Sequence, residues 1–342
     1  MRDVARQAGV ALSTVSAVLN NSDKYVSTEI RKKVLSSAKE LGYTLLVKKV
    51  FSKKPIAVLL PVITSSFFSN VLNGIENIVS QDKNMLLFYN SNYSFEKEQA
   101  CLKTMRKQSM AGIILNSICP HSLEDEYFNW LDEEFVSKGI PVVLLERKVE
   151  SRRFYSIFID NFKCACIVTQ HLIDYNHRVI AHISGNDHMR HSFERLDGYK
   201  ETLTNNGIPV DTELIQAGDF TPYSGYLAVK RLLNIRSDFT AIFSSNDQMA
   251  IGAIKALRAF GRNVPKDCAV VGFDNLSVST LIDPALSTIN VPTFQMGRLA
   301  ARIILDACEG KHHHHLNKLD TNLIIRRSSD AMAINEWDLT GW

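Results

Sequence analysis

Asp3 to Asn21, DVARQAGVALSTVSAVLNN, reads as two short helices around a turn at Gly9. Val4, Ala5 and Ala8 fall at i, i+1 and i+4, an apolar stripe. Gly9 supplies a chain reversal that a residue with a Cβ would resist. Val10 then packs back, and Leu12 to Leu19 forms a second helix with Val15, Val18 and Leu19 inward. Its other side shows Ser13, Thr14, Ser16 and Ala17, small enough to approach a nucleic-acid groove. A third helix follows in VSTEIRKKVLSSAKELGY, with Ser27 as N-cap, Ile30, Val34, Ala38 and Leu41 as its inner face, and Gly42 where a left-handed C-terminal cap is favoured. This is a helix-turn-helix pattern with the second helix as reader.

Working outward, the charge supports that reading. Residues 1–54 hold 11 Lys/Arg and 4 Asp/Glu, a net of +7, while the whole chain is only +3 from 39 and 36. The remainder is therefore −4, and a basic head on a mildly acidic body is the footprint of phosphate contacts. A chain of 342 residues with 45% hydrophobic content suggests two or three globular domains. It has no run of 18 apolar residues and no signal-peptide core, so no membrane partner and a cytoplasmic location are expected. The six cysteines (Cys101, Cys119, Cys164, Cys166, Cys268 and Cys308) lack metal spacing and are expected as buried thiols. His312 to His315 are expected in a solvated loop, with no metal and no cofactor.

Residues 44–55, TLLVKKVFSKKP, join the head to the body and carry Lys48, Lys49, Lys53 and Lys54 around Val50 and Phe51. From Ile56 strand and helix alternate. IAVLLP, MLLFYN, AGIILN and PVVLLE form one series, and YSIFID, VIAHIS, LIQAG, TAIFSS and CAVVGFD a second. The chain then returns through STINVP, a helix over 294–308 and NLIIRR. Continuously apolar strands separated by helices imply two parallel sheets covered on both faces. The expected fold is thus α plus α/β: a head over 1–44, a hinge over 45–55 and a two-lobed body over 56–342. The first lobe is expected over about 56–154 plus 291–321, the second over about 155–290 plus 322–342.

These segments resemble the LacI/GalR family of bacterial transcription regulators. The likeness rests on the head and, in the body, on SSFFSNVLNGIE, ERLDGY, GDFTPYSGY, SSNDQMAIGAIKAL, VVGFDN and PALSTINVP, which occur in family order. The resemblance implies a three-helix DNA-binding head, a hinge, a body like the periplasmic sugar-binding proteins, and a homodimer reading a pseudo-palindromic operator under a small effector. It sets Leu12, Ser13 and Ala17 at base edges and Thr14 and Ser16 nearer phosphates. Asn20, Ser27, Arg31, Lys48 and Lys49 complete the DNA-binding set. The chain departs from the family in three places. The first helix lacks its N-cap, so a start a few residues upstream is expected. Ala17 stands where an Arg is common. The hinge lacks the usual proline-asparagine start and Ala-Arg-x-Leu core.

Parallel α/β sheets bind ligands beyond the carboxyl ends of their strands. Those ends carry Phe67, Phe68, Asp160, Asn246 and Asp274, with Arg195 opening a helix and Phe220 following LIQAGD. Carboxylates accept sugar hydroxyls, Arg gives a fork of donors, and aromatics cover apolar ring faces. Each residue also has a plainer role: helix cap for Asp160 or Asp274, core for Phe220, salt bridge for Arg195. The leading expectation is a sugar-responsive transcription regulator, a repressor of carbohydrate-use genes. Its rivals are a ligand-binding protein with degraded DNA binding, a solute-binding transport protein, and an enzyme, which would need an acid/base pair or phosphate loop not found here.

Overall fold

The structure is a computed structural model that describes residues 1–19, 25–41, 54–82, 84–150, 153–186 and 189–334. The chain divides into two compact units, Met1–Ser52 and Lys53–Trp342. The first holds α1 (Arg2–Ala8), α2 (Leu12–Leu19) and α3 (Thr28–Glu40). Gly9 ends α1 in the left-handed region at φ 64. Val4, Val15, Val18, Val34 and Ala38 form the core of this unit, with Ala8, Val10, Leu19 and Ile30 packed around it. The Ser27 hydroxyl caps α3 by accepting the Ile30 N–H at 3.4 Å. Met1 gives α1 no side-chain cap.

The body begins with β1 (Ile56–Leu60), α4 (Ser66–Val79), β2 (Leu86–Asn90), α5 (Phe95–Met105), β3 (Gly112–Leu115), α6 (Glu124–Glu134), β4 (Val142–Leu145) and β5 (Tyr155–Phe158). It continues with α7 (Asn161–Asp174), β6 (Ile180–Ser184), α8 (Arg190–Asn205), β7 (Ile215–Ala217), α9 (Pro222–Ile235), β8 (Ala241–Ser244), α10 (Asp247–Ala259), β9 (Ala269–Asp274), α11 (Val278–Leu281) and β10 (Ser287–Asn290). It closes with α12 (Thr293–Cys308), β11 (Leu316–Lys318) and β12 (Asn322–Ile324). The strands form two six-stranded sheets, ordered β11-β5-β4-β3-β1-β2 and β12-β10-β9-β8-β6-β7. Every pairing is parallel except β10 with β12. Central strands such as β1 and β9 are buried along their whole length, which explains their unbroken apolar runs.

Four details differ from the sequence reading. YSIFID does not open the second lobe: β5 pairs with β4 in the first sheet, Val143 opposite Tyr155, and the chain crosses after Phe158 rather than at 155. Periodicity reports that a strand exists, not which sheet it joins. β11 is an additional first-sheet strand with one apolar residue in three, too weak a pattern to read. Of the cysteines, Cys119, Cys164 and Cys268 are buried, whereas Cys308 is exposed. In the histidine run His312 and His314 are exposed, but His313 pairs with Asp306 at 2.7 Å and His315 stacks on Tyr155 at 4.9 Å.

Glycines let helices on each lobe touch backbone to backbone. A Cβ on Gly297 of α12 would lie 2.0 Å from the Val71 carbonyl of α4. One on Gly252 of α10 would lie 1.8 Å from the Pro222 carbonyl of α9. A side chain at either position would force the paired helices, α4 with α12 and α9 with α10, apart.

Candidate functional site

In the head, the start of α2 is the open part of the reading helix. Leu12 is 45% exposed and Ser13 is exposed, while Thr14 and Ser16 are half-buried. Ala17 departs from the sequence reading: it is only 6% exposed and counts with Val15 and Val18 among the buried residues of α2. Ser27 spends its hydroxyl oxygen on the α3 cap. Arg31 is half-buried one turn further on, with Lys32, Lys33 and Lys39 exposed on the same helix. Asn20, Lys48 and Lys49 lie outside the described residues.

In the body, the carboxyl ends of both sheets converge on one pocket. Phe67 and Phe68 come from the first turn of α4 and pack edge to face, centroids 5.1 Å apart. Arg195, Phe220, Asn246 and Asp274 line the same pocket from the second lobe. Phe220 follows β7 with φ 67, a left-handed conformation that a bulky residue adopts only when held there. Asn246 provides the hold. Its Nδ2 donates to the Phe220 carbonyl at 3.1 Å, while its Oδ1 caps α10 by accepting the Met249 N–H at 2.9 Å. The Phe220 ring lies beside that of His191, centroids 5.4 Å apart.

Arg195 is 2% exposed and fixed from below. Its Nε donates to Asn161 Oδ1 at 3.0 Å, one terminal nitrogen donates to the Ser245 carbonyl, and its plane lies 3.6 Å from the Phe273 ring centroid. Asp274 ends β9 at φ 114 and is 8% exposed, yet its carboxylate makes no hydrogen bond to any of the described residues. Burial therefore holds its pKa well above the carboxylate range; Arg195 opposes this, and Asp247 and Glu146 add to it. Asp160 is not part of the cleft. It caps α7 by accepting the Lys163 N–H at 3.0 Å and faces Lys318 at 3.9 Å, the plainer of its two readings.

The pocket also holds residues that the sequence reading passed over. Asn116 follows β3 and Glu146 follows β4, and Asn116 Nδ2 donates to Glu146 Oε2 at 3.0 Å. Both end apolar runs quoted above, AGIILN and PVVLLE, so the strand-end rule could have found them. Tyr93, at φ 55 beyond β2, carried no such signal. His191 is kept neutral by burial and by the nearby Arg195 and Arg147, which push its pKa well below the usual range. Glu124 links the two lobes beside this pocket: it takes Arg147 of its own lobe at 2.6 Å and Arg190 of α8 at 3.5 Å. The cleft as it stands encloses about 60 Å³, below the roughly 300–1,000 Å³ of ordinary small-molecule sites. A ligand therefore enters with movement of the lobes or of the rings. Among the described residues no three His, Cys, Asp or Glu converge as a metal site, and no helix is long and apolar enough to cross a membrane.

A helix-turn-helix head joined to a two-lobed α/β body with a polar, aromatic-walled cleft defines the class of ligand-responsive transcription regulators. Known proteins agree. Residues 1–44 match the family model for bacterial regulatory proteins of the lacI family, and residues 169–329 match a periplasmic binding protein-like domain. Catabolite control protein A of Priestia megaterium is 35% identical over 308 residues, covering 88% of this chain and 90% of its own. The solved structure of the regulator CelR with cellobiose superposes with a TM-score of 0.72 at 32% identity, covering 96% of this chain and 98% of that one. The lac repressor dimer bound to operator and an anti-inducer gives 0.74 at 25% identity, over 96% and 98%. The chain belongs to the LacI family of bacterial transcription regulators.

Proposed function

We propose that this protein represses carbohydrate-use genes as a cytoplasmic homodimer, placing one head in each half of a pseudo-palindromic operator, and that a sugar-like effector in the cleft sets its affinity for DNA. The observation that carries the ligand half is Asp274, a buried carboxylate with no donor among the described residues, facing a cleft shared with Arg195 and the Phe220 ring. Such a group is costly to bury alone and cheap once ligand hydroxyls donate to it. The relative solved with cellobiose and the one solved as a dimer on operator support the two halves of the reading. The chain is read as non-catalytic, with the head over 1–44, the hinge over 45–55 and the body beyond. Leu12 and Ser13 are read as base contacts, with Thr14, Ser16, Arg31 and Ser27 near phosphates.

Two experiments test this together. Selection from a random duplex library with the full chain should enrich a two-fold-related sequence. Calorimetry with neutral mono- and disaccharides, cellobiose included, should find a binder. Failure to enrich any sequence would refute the DNA half, and binding of no sugar would refute the effector half.

A further inference from the structure

The cleft is lined from opposite lobes by two carboxylates, Glu146 at the end of β4 and Asp274 at the end of β9. Among the described residues Asp274 has no hydrogen-bond partner, and Glu146 has a partner for one oxygen, Asn116 Nδ2. Burial raises the pKa of both carboxyls, and Glu146 adds to the rise at Asp274. Among the described residues Arg195 is the one cation in the lining. Two of its three nitrogens are already committed to Asn161 and the Ser245 carbonyl. His191 adds no charge, since burial keeps it neutral. The N-terminus of α10 opens on the cleft and would favour an anion, but Asp247 already sits in its first turn.

On the footing that the cleft takes a sugar-like effector, we infer that it selects uncharged or amino-substituted sugars and rejects phosphorylated and carboxylated ones, with Glu146 deciding between them. A neutral sugar donates hydroxyl hydrogens to both carboxylates and accepts from the free nitrogen of Arg195. An ammonium group fits the same pair of acceptors as a charge-assisted donor. A phosphate or carboxylate has no hydrogen to give at pH 7, or too few, and would bring its charge into a site shielded from water, beside two acidic groups and a single cation already largely committed. Discrimination here comes from the cost of burying an anion without a free cation as well as from attraction.

The test is calorimetry of the full chain with matched sets: glucose, glucose 6-phosphate, glucuronate and glucosamine, and the same for galactose, together with cellobiose and cellobiose phosphate. Within any set whose parent binds, the phosphate and the acid should bind at least tenfold more weakly, and the amino sugar at least as well as the parent. Glu146→Gln keeps the shape and removes the acid, so it should narrow the gap between parent and phosphate severalfold. Asp274→Asn gives the same reading if the first variant does not fold. A phosphate or acid that binds as tightly as its parent overturns the inference while leaving the sugar reading intact. An unchanged gap in a folded Glu146→Gln overturns the role of Glu146. Binding of no member of any set defeats the sugar reading and this inference with it.

Discussion

Gly185 is the support on which the Phe220 ring rests, and Gly185→Ala separates ligand binding from stability. A Cβ at 185 would stand 2.1 Å from Phe220 Cζ, 2.5 Å from Cε1 and 2.6 Å from Ser192 Oγ. Ordinary contact begins at 3.4 Å, so the ring must retreat by at least the difference, 1.3 Å. Its backbone cannot follow, because Asn246 holds the Phe220 carbonyl at 3.1 Å. The ring therefore swings into or out of the cleft. Overpacking of this kind costs about 1–3 kcal/mol, and removing a glycine from the unfolded chain returns about 0.4–1 kcal/mol. The colliding atoms are side-chain ends rather than backbone, so the net change in stability should stay under about 2 kcal/mol. Loss of the aromatic wall should weaken the bound sugar at least tenfold, about 1.4 kcal/mol. Urea denaturation reads the first quantity and calorimetry the second. Unchanged sugar affinity would show that Phe220 is not a ligand wall. A collapse of the fold would show that the neighbours are rigid, contrary to the reasoning.

Three further outcomes are expected. Binding of the full chain to random duplex DNA should fall roughly 10³-fold or more between 50 and 200 mM salt, given a head of net +7; a flat response would deny phosphate contacts. Gly252→Ala should destabilise the body by about 2 kcal/mol or more in spite of better helix propensity, because its Cβ meets backbone at 1.8 Å; a neutral result would mean that α9 and α10 are free to part. Burial pushes the Asp247 carboxyl from 3.8 up to about 7, against hydrogen bonds from Thr288 and the Leu276 N–H. A raised acid favours the fold while protonated, so its contribution is full below about pH 4, fades as the pH rises to 7 and is absent above. Asp247→Asn should therefore compare with the parent more favourably at pH 8 than at pH 5, by more than about 1 kcal/mol; an equal difference at both pH values would place the titration elsewhere.

Local patterns carried much of this molecule. The three head helices, the apolar strands and the helices between them follow from residue spacing, because each buries a face or a whole strand. Pairing between distant segments does not: Tyr155 opposite Val143, and Leu316 opposite Ser156, are set by tertiary packing that no local period records. The cleft divides in the same way. Phe220, Asn246 and Asp274 belong to segments that resemble the family and also stand at or just beyond strand ends, so two arguments met on them; Arg195 lies in the second turn of α8 rather than opening a helix, and the resemblance alone pointed to it. Asn116 and Glu146 satisfy the strand-end rule alone. Asp160 satisfies it too, but it ends the strand from which the chain leaves the first sheet, and the α7 N-terminus claims its carboxylate. Ala17 lies on the outward arc drawn by Val15, Val18 and Leu19 and is nonetheless buried, since helical phase says nothing of what the rest of the chain lays over a small side chain.

The most direct test of the whole account is the DNA affinity of the full chain for its selected sequence, with and without the sugar found by calorimetry, in the parent and in Asp274→Ala. A regulator can shift only by the ligand's differential affinity for its two arrangements, commonly about 1–3 kcal/mol or 5- to 150-fold. A change of at least fivefold is expected in the parent, none in Asp274→Ala, and the same ligand-free affinity in both, because head and body are separate units. An affinity for DNA that saturating sugar leaves unmoved in the parent, or moves equally in Asp274→Ala, would contradict it.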